Sequence, residues 1–194
     1  MKDKLLKILD EFYDLSEAGE ENALAKILKI SNKNPSEISD IVKELKADDI
    51  SIVYEALAAD MKNWSDFFLN EAKRIIELAK KSDIPADVLV YLDEFINIDP
   101  EEFKYSDELV DMMKKELKNE HPAFRYWAMS MIADFRKEGD ILSTKLFENH
   151  LTDPDWRLRY WAYIYLNEIR ETGKYKLSLM DKIRSKILKP YKFN

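Results

Sequence analysis

The sequence predicts an all-α repeat fold, an α-solenoid of about five helix pairs preceded by an N-terminal cap helix. Three observations carry the prediction. An apolar stripe with helical spacing recurs along the chain at steps of 38, 36 and 34 residues, inside the range of two-helix repeats. Only three glycines and six prolines punctuate 194 residues, so helices joined by short loops are favoured. No segment carries the sustained apolar–polar alternation of a half-buried strand.

Taken in order, residues 2–18 read as a cap helix outside the repeats. Residues 20–33 and 36–46 form a short first pair, because 38–61 reads like 109–135 with a short gap. The first full stripe is Ile50, Val53, Tyr54, Leu57, Ala58 and Met61. A second helix follows at 65–81, with Ser65 as its N-cap and Trp64 placed to staple onto Leu69. Val88, Tyr91, Leu92, Phe95 and Ile96 make the next stripe, with Asp99 in its sixth place. Its partner helix is 106–118, opened by Ser106 with Tyr105 stapling onto Val110. Gly19, Gly139 and Gly173 each follow an apolar-periodic run and read as helix-terminating glycines.

The last two copies are the most alike. Arg125-Tyr126-Trp127-Ala128 recurs 34 residues later as Arg159-Tyr160-Trp161-Ala162. Phe124, Trp127, Ala128, Met131, Ile132 and Phe135 map onto Leu158, Trp161, Ala162, Tyr165, Leu166 and Ile169, one buried face of a helix in each case. His121-Pro122 and Asp153-Pro154 place a side-chain acceptor before a proline at the first helical position. The second helices of these copies are 140–151 and 175–189. Beside the main stripe lie Pro122, Tyr126 and Met129, and again Trp156, Tyr160 and Tyr163. A helix with two apolar faces packs both on its partner and on a neighbouring repeat; an exposed aromatic patch for a partner is the alternative. The whole chain, 1–194, is expected to be one repeat domain, with 1–47 an atypical cap and short repeat and 48–194 four helix pairs.

Composition narrows the function classes. The absence of cysteine removes disulfides, thiolate nucleophiles and Cys-ligated zinc, and fits a reducing cytoplasm. The N-terminus carries acids within its apolar pattern, unlike a signal peptide. No apolar run approaches the roughly 20 residues of a membrane span. A cytoplasmic chain without a membrane partner is expected. Net charge is −7, spread unevenly: residues 1–97 hold 13 basic and 21 acidic side chains, whereas 174–192 holds seven basic residues against Asp181 alone. The acidic half repels nucleic acid.

Catalytic and ligand-binding patterns are not found. His121 and His150 lack the spacing of a helical zinc motif; His121 reads as a turn or capping residue and His150 as a cation at a helix C-terminus. Three scattered glycines build no phosphate-cradling loop. Asp48-Asp49, Asp93-Glu94 and Glu101-Glu102 sit near helix ends, as solvated or first-turn acids do. Arg157 and Arg159 beside Trp156, Tyr160 and Trp161 mix cations with aromatics, the ingredients of nucleic-acid contact. No metal and no cofactor is expected.

Asp153-Pro154-Asp155-Trp156-Arg157-Leu158-Arg159, followed by Ala162 and Leu166, resembles the HEAT-repeat signature. Asn119 through Arg125 is the same element with Asn119 for the turn Asp; upstream, over 48–118, the signature Arg is missing. The resemblance implies a right-handed solenoid of HEAT-like pairs in which Asp153 and Arg159 bond across repeats. It also implies a concave side lined by second helices, on which Asp111, Lys115, Lys118, Thr144, Glu148, Asp181 and Ser185 are the candidate protein-binding residues. The function so implied is a non-catalytic, monomeric protein–protein interaction scaffold whose partner is a protein, for instance a basic toxin. Two alternatives accompany it: a bacterial immunity protein neutralising a secreted toxin, and a HEAT-like DNA-binding or DNA glycosylase protein.

Overall fold

The computed structural model describes residues 1–135, 141–169 and 174–190. Those residues form eleven α-helices, a 3₁₀ segment and a π-helical turn, and no strand occurs among them. The protein is all-α. Gly139 and Gly173 lie outside the described residues. The chain divides into two compact units, Met1–Glu71 with Asp93–Tyr105 and Ala72–Leu92 with Ser106–Asn194.

The first unit opens with α1 (Lys2–Phe12), α2 (Glu17–Lys33), α3 (Pro35–Val42) and α4 (Ala47–Ala58), and includes the start of α5 (Met61–Lys80). Here α2 packs on α1, α3 and α4. Amphipathic spacing decides what is inside: Leu5, Leu9, Ile27, Ile38, Val53, Leu57 and Met61 are all fully buried. Tyr54, Phe67, Phe68 and Phe95 meet edge to face, with centroids 5.4 to 6.2 Å apart, the arrangement that ring quadrupoles favour. The buried Tyr54 hydroxyl donates to Glu71 at 2.7 Å.

Three sequence expectations are corrected in this region. The cap helix stops at Phe12 rather than residue 18, and Gly19 lies in the first turn of α2 instead of ending α1. Ser16 sits in extended backbone as the N-cap, and its carbonyl accepts from the Gly19 and Glu20 N–H groups. The acids Glu17 and Glu20 then fall where the helix dipole favours them. Ser65 is no N-cap: it is buried within α5, where its hydroxyl donates to the Met61 carbonyl at 2.8 Å and accepts from the Lys104 N–H at 3.2 Å. Trp64, also within α5, donates its indole N–H to Asn32 at 2.8 Å.

The third correction is one of period. After α6 (Pro85–Leu89) the chain continues as a 3₁₀ segment, Val90–Asn97. Three residues per turn put Leu89, Leu92, Phe95 and Ile98 inward, and all four are buried. The expected stripe began at Val88 with a spacing of 3.6; Val88 and Tyr91 are only half-buried.

The second unit holds the rest of α5, α6, α7 (Ser106–Glu116), α8 (Pro122–Phe135), α9 (Ile141–His150), α10 (Trp156–Ile164), the π turn Tyr165–Ile169 and α11 (Leu179–Ile187). Helix α8 touches α6, α7, α9 and α10; α10 touches α8, α9 and α11. Only Pro122 and Asp134 of α8 escape burial. Of its second apolar set, Tyr126 and Met129 are thus packed, and Pro122 is half-buried. On α10 the matching Trp156, Tyr160 and Tyr163 are half-buried. Trp161, expected in the core, is half-buried too and meets the Tyr126 ring at a tilt, centroids 5.5 Å apart.

Candidate functional site

The most elaborate polar construction is a pair of arginine forks, and each grows from a turn before a helix. Arg125, on the first turns of α8, sends one guanidinium nitrogen to the carbonyls of Asn119 and Glu120, both at 2.8 Å. Its other two nitrogens grip the Asp153 carboxylate at 2.9 and 2.8 Å. Arg159, on α10, repeats the pattern. It donates to the carbonyls of Asp153 and Pro154 at 2.7 and 3.1 Å and grips Asp181 at 2.8 Å through two nitrogens. Arginine suits this place because its planar fork satisfies two carbonyls and a carboxylate together.

Asp153 is the hub. Its carboxylate also accepts from the Asp155 N–H at 2.8 Å and meets His150 Nδ1 at 3.1 Å. Burial pushes this carboxyl up, but the hydrogen bonds from His150 and Arg125 outweigh it and hold it well below the ordinary carboxylate value. Helix α10 begins at Trp156 with Asp155 as N-cap, accepting from the Arg157 N–H at 2.8 Å, so Pro154 precedes the helix instead of opening it. Pro122 does open α8, and His121 caps it by accepting from the Ala123 N–H at 3.2 Å.

Asp181, expected on a partner-binding face, is 2% exposed. This is a correction with a simple cause: the Arg159 fork draws the carboxylate inward. The bond from Arg159 lowers its pKa against the opposing effect of burial, with Ser178 adding to the lowering. Ser178 is the N-cap of α11 and accepts from the Asp181 N–H at 3.1 Å. Ser178-Leu179-Met180-Asp181 resembles a capping box, a signal that would have started this helix at 179 rather than 175.

Of the other candidate residues, Asp111 and Lys115 lie on α7, Thr144 and Glu148 on α9 and Ser185 on α11, whereas Lys118 sits in the turn after α7. Asp111 pairs with Lys114 at 2.7 Å. Glu148 accepts from the Tyr175 hydroxyl, and the Ser185 hydroxyl donates to the Lys182 carbonyl at 3.0 Å. Lys115 and Lys118 are exposed and Thr144 is half-buried. Close to them a groove of about 370 Å³ opens between α7 and α9, lined by Lys114, Lys145, Leu146 and Asn149.

In the first unit, a groove of about 370 Å³ between α1 and α2 is lined by Lys4, Lys7, Lys26 and Lys29 over Ile8 and Ile30. A wider one, about 580 Å³, lies between α2 and α4 over small residues such as Ala25, Ala56 and Ala59.

The cation–aromatic grouping is differently employed from a nucleic-acid surface. Arg157 forks onto Asp155, at 2.9 and 2.5 Å for its closest contacts, and Arg159 is committed to Asp181. Among the described residues no three His, Asp or Glu side chains gather as metal ligands, and no helix is long and apolar enough to cross a membrane. Comparison with protein-family models, with curated proteins and with solved structures found no match.

Proposed function

We propose that the chain is a non-catalytic protein–protein interaction scaffold, built as a right-handed HEAT-like solenoid of about five helix pairs behind the cap helix α1. The duplicated arginine fork carries the reading. Arg125 and Arg159 each hold the turn before their own helix and reach the acid that follows the next second-type helix or begins it. A device repeated at this interval fastens one helix pair to the next, and such stacking is how repeat proteins are stabilised. The rows of contacts α6–α8–α10 support the same reading. Stacked pairs present α7 and α9 side by side, and their shared groove offers an apolar floor at Leu146 between the cations Lys114 and Lys145. A rigid surface of this kind binds without ordering a loop first, which lowers the entropic cost of association.

The nucleic-acid alternative is disfavoured because Arg157 and Arg159, its best cations, are held by Asp155 and Asp181. The test places a photo-crosslinking amino acid at Lys118 or Thr144 beside the groove, and at Glu37 on α3 as a control. In native extract the groove positions should yield one and the same protein adduct. It should be competed by excess untreated protein, lost in Leu146→Asp, and absent from the control. Specific sub-micromolar binding to duplex DNA, lost when Lys182, Arg184 and Lys186 are changed to Glu, would overturn the reading.

A further inference from the structure

Helix α11 is built inside out. Its one buried residue is the acid Asp181. Leu179, Met180, Ile183, Ile187 and the adjoining Leu188 are between 43 and 74% exposed, and they make up half of the ten exposed large apolar side chains among the described residues. At 100° per residue the first four share one arc of about 100°, opposite Asp181. The helix is therefore anchored by its ion pair to Arg159 and shows water the stripe that amphipathic helices normally bury. An apolar patch of this kind marks an interaction surface.

Its surroundings state what covers it. Lys182 and Lys186 border the stripe, both exposed and neither in an ion pair among the described residues. The only acid of α11 faces inward. The complement must be apolar and acidic. This chain supplies one: residues 8–25 hold six acidic side chains and no basic one. At the α1–α2 corner, Tyr13 and Leu15 are 60 and 37% exposed. Asp10, Asp14, Glu17 and Glu21 around them are exposed and form no ion pair among the described residues. Two α11 stripes facing each other would instead bring Lys182 and Lys186 against their own copies, which like-charge repulsion opposes.

We propose that α11 of one copy docks on the Tyr13–Leu15 corner of a second copy, apolar side chains in contact and Lys182 and Lys186 facing the corner's acids. This goes beyond the scaffold reading and replaces the single-copy expectation. The contact joins two different patches, so it is heterologous and leaves each terminal copy with one free patch. One helix face is a small interface, so association is weak and concentration-dependent.

Sedimentation velocity over rising concentration tests it. The wild-type sedimentation coefficient should climb, and less steeply at high salt, where exposed charges are screened. Ile183→Asp removes the helix patch, and Tyr13→Lys with Asp14→Lys removes the corner. All three positions lie on the surface, and circular dichroism checks that both variants keep their helices. Each variant alone should associate at least about tenfold more weakly. Mixed, the two should restore a one-to-one dimer that grows no further, since only one productive contact remains. Four results overturn the proposal. These are a wild-type chain monomeric at every concentration, a mixture that does not pair, association strengthened by salt, or an Ile183→Asp variant that associates as strongly as the wild type. Binding to phosphatidylserine-containing vesicles that is lost in Ile183→Asp, with the chain otherwise monomeric, would assign the face to a membrane surface instead.

Discussion

Arg125→Met is the sharpest perturbation of this structure. Methionine keeps much of the stem's packing but removes the fork that holds Asp153 and the carbonyls of Asn119 and Glu120. The Asp153 side chain is 4% exposed and that of Arg125 10%, so the abandoned carboxylate cannot be rehydrated in place. Breaking a buried pair from one side costs about 3–5 kcal/mol. The Glu120 carbonyl belongs to an exposed residue where water can substitute, so it adds little. Arg159→Met removes the same fork, but the Arg159 side chain is 23% exposed, and water compensates in part. About 1.5–3 kcal/mol is expected there, the usual worth of hydrogen bonds to a charged group. Adding Asp153→Leu to Arg125→Met should cost less than the two separate losses by about 1–3 kcal/mol, because the second change removes the stranded charge. Urea unfolding followed by tryptophan fluorescence and by circular dichroism measures all of these. Trp127, two residues from Arg125 in α8, reports on the site directly. An Arg125→Met variant within about 0.5 kcal/mol of wild type, or an Arg159→Met variant costing more, would refute the reasoning.

Further outcomes follow from the same contacts. Asp153, Asp155 and Asp181 all titrate below the ordinary carboxylate value of 3.8 when folded. Their stabilisation is present above that value and lost as pH falls through the folded values. Stability should therefore be flat near neutrality and drop below about pH 4, less steeply in Asp181→Asn. The Ser31 hydroxyl is fully buried and finds no hydrogen-bond partner among the described residues; Ser31→Ala should stabilise by about 1 kcal/mol in thermal unfolding. Trp127→Ala should cost about 3–5 kcal/mol, and Trp161→Ala clearly less, since Trp161 is half-buried; equal losses in denaturant would contradict their difference in burial.

Local pattern was enough to determine much of this protein. A helix repeats every 3.6 residues, so Ile50, Val53, Tyr54 and Leu57, and Phe124, Trp127, Ala128, Met131 and Ile132, announce their buried face from sequence alone, and all are buried. The all-α class follows from such stripes and from the scarcity of glycine. The capping role of His121 was legible for the same reason: a cap involves neighbours in the chain. Other features depend on groups far apart in sequence. Leu89, Leu92, Phe95 and Ile98 fit a period of three only once tertiary packing tightens the backbone, whereas the residues alone read equally well at 3.6. Ser65 looks like a cap in isolation but finds its acceptor one turn back and its donor at Lys104. Arg159 was readable as a structural arginine, yet its partner 22 residues on was not. Asp181 read as part of an open binding face because no periodicity encodes an ion pair between two helices. That one contact turns α11 over, drawing its only acid inward and its apolar stripe outward. Which face of an amphipathic helix meets water is decided by what packs against it.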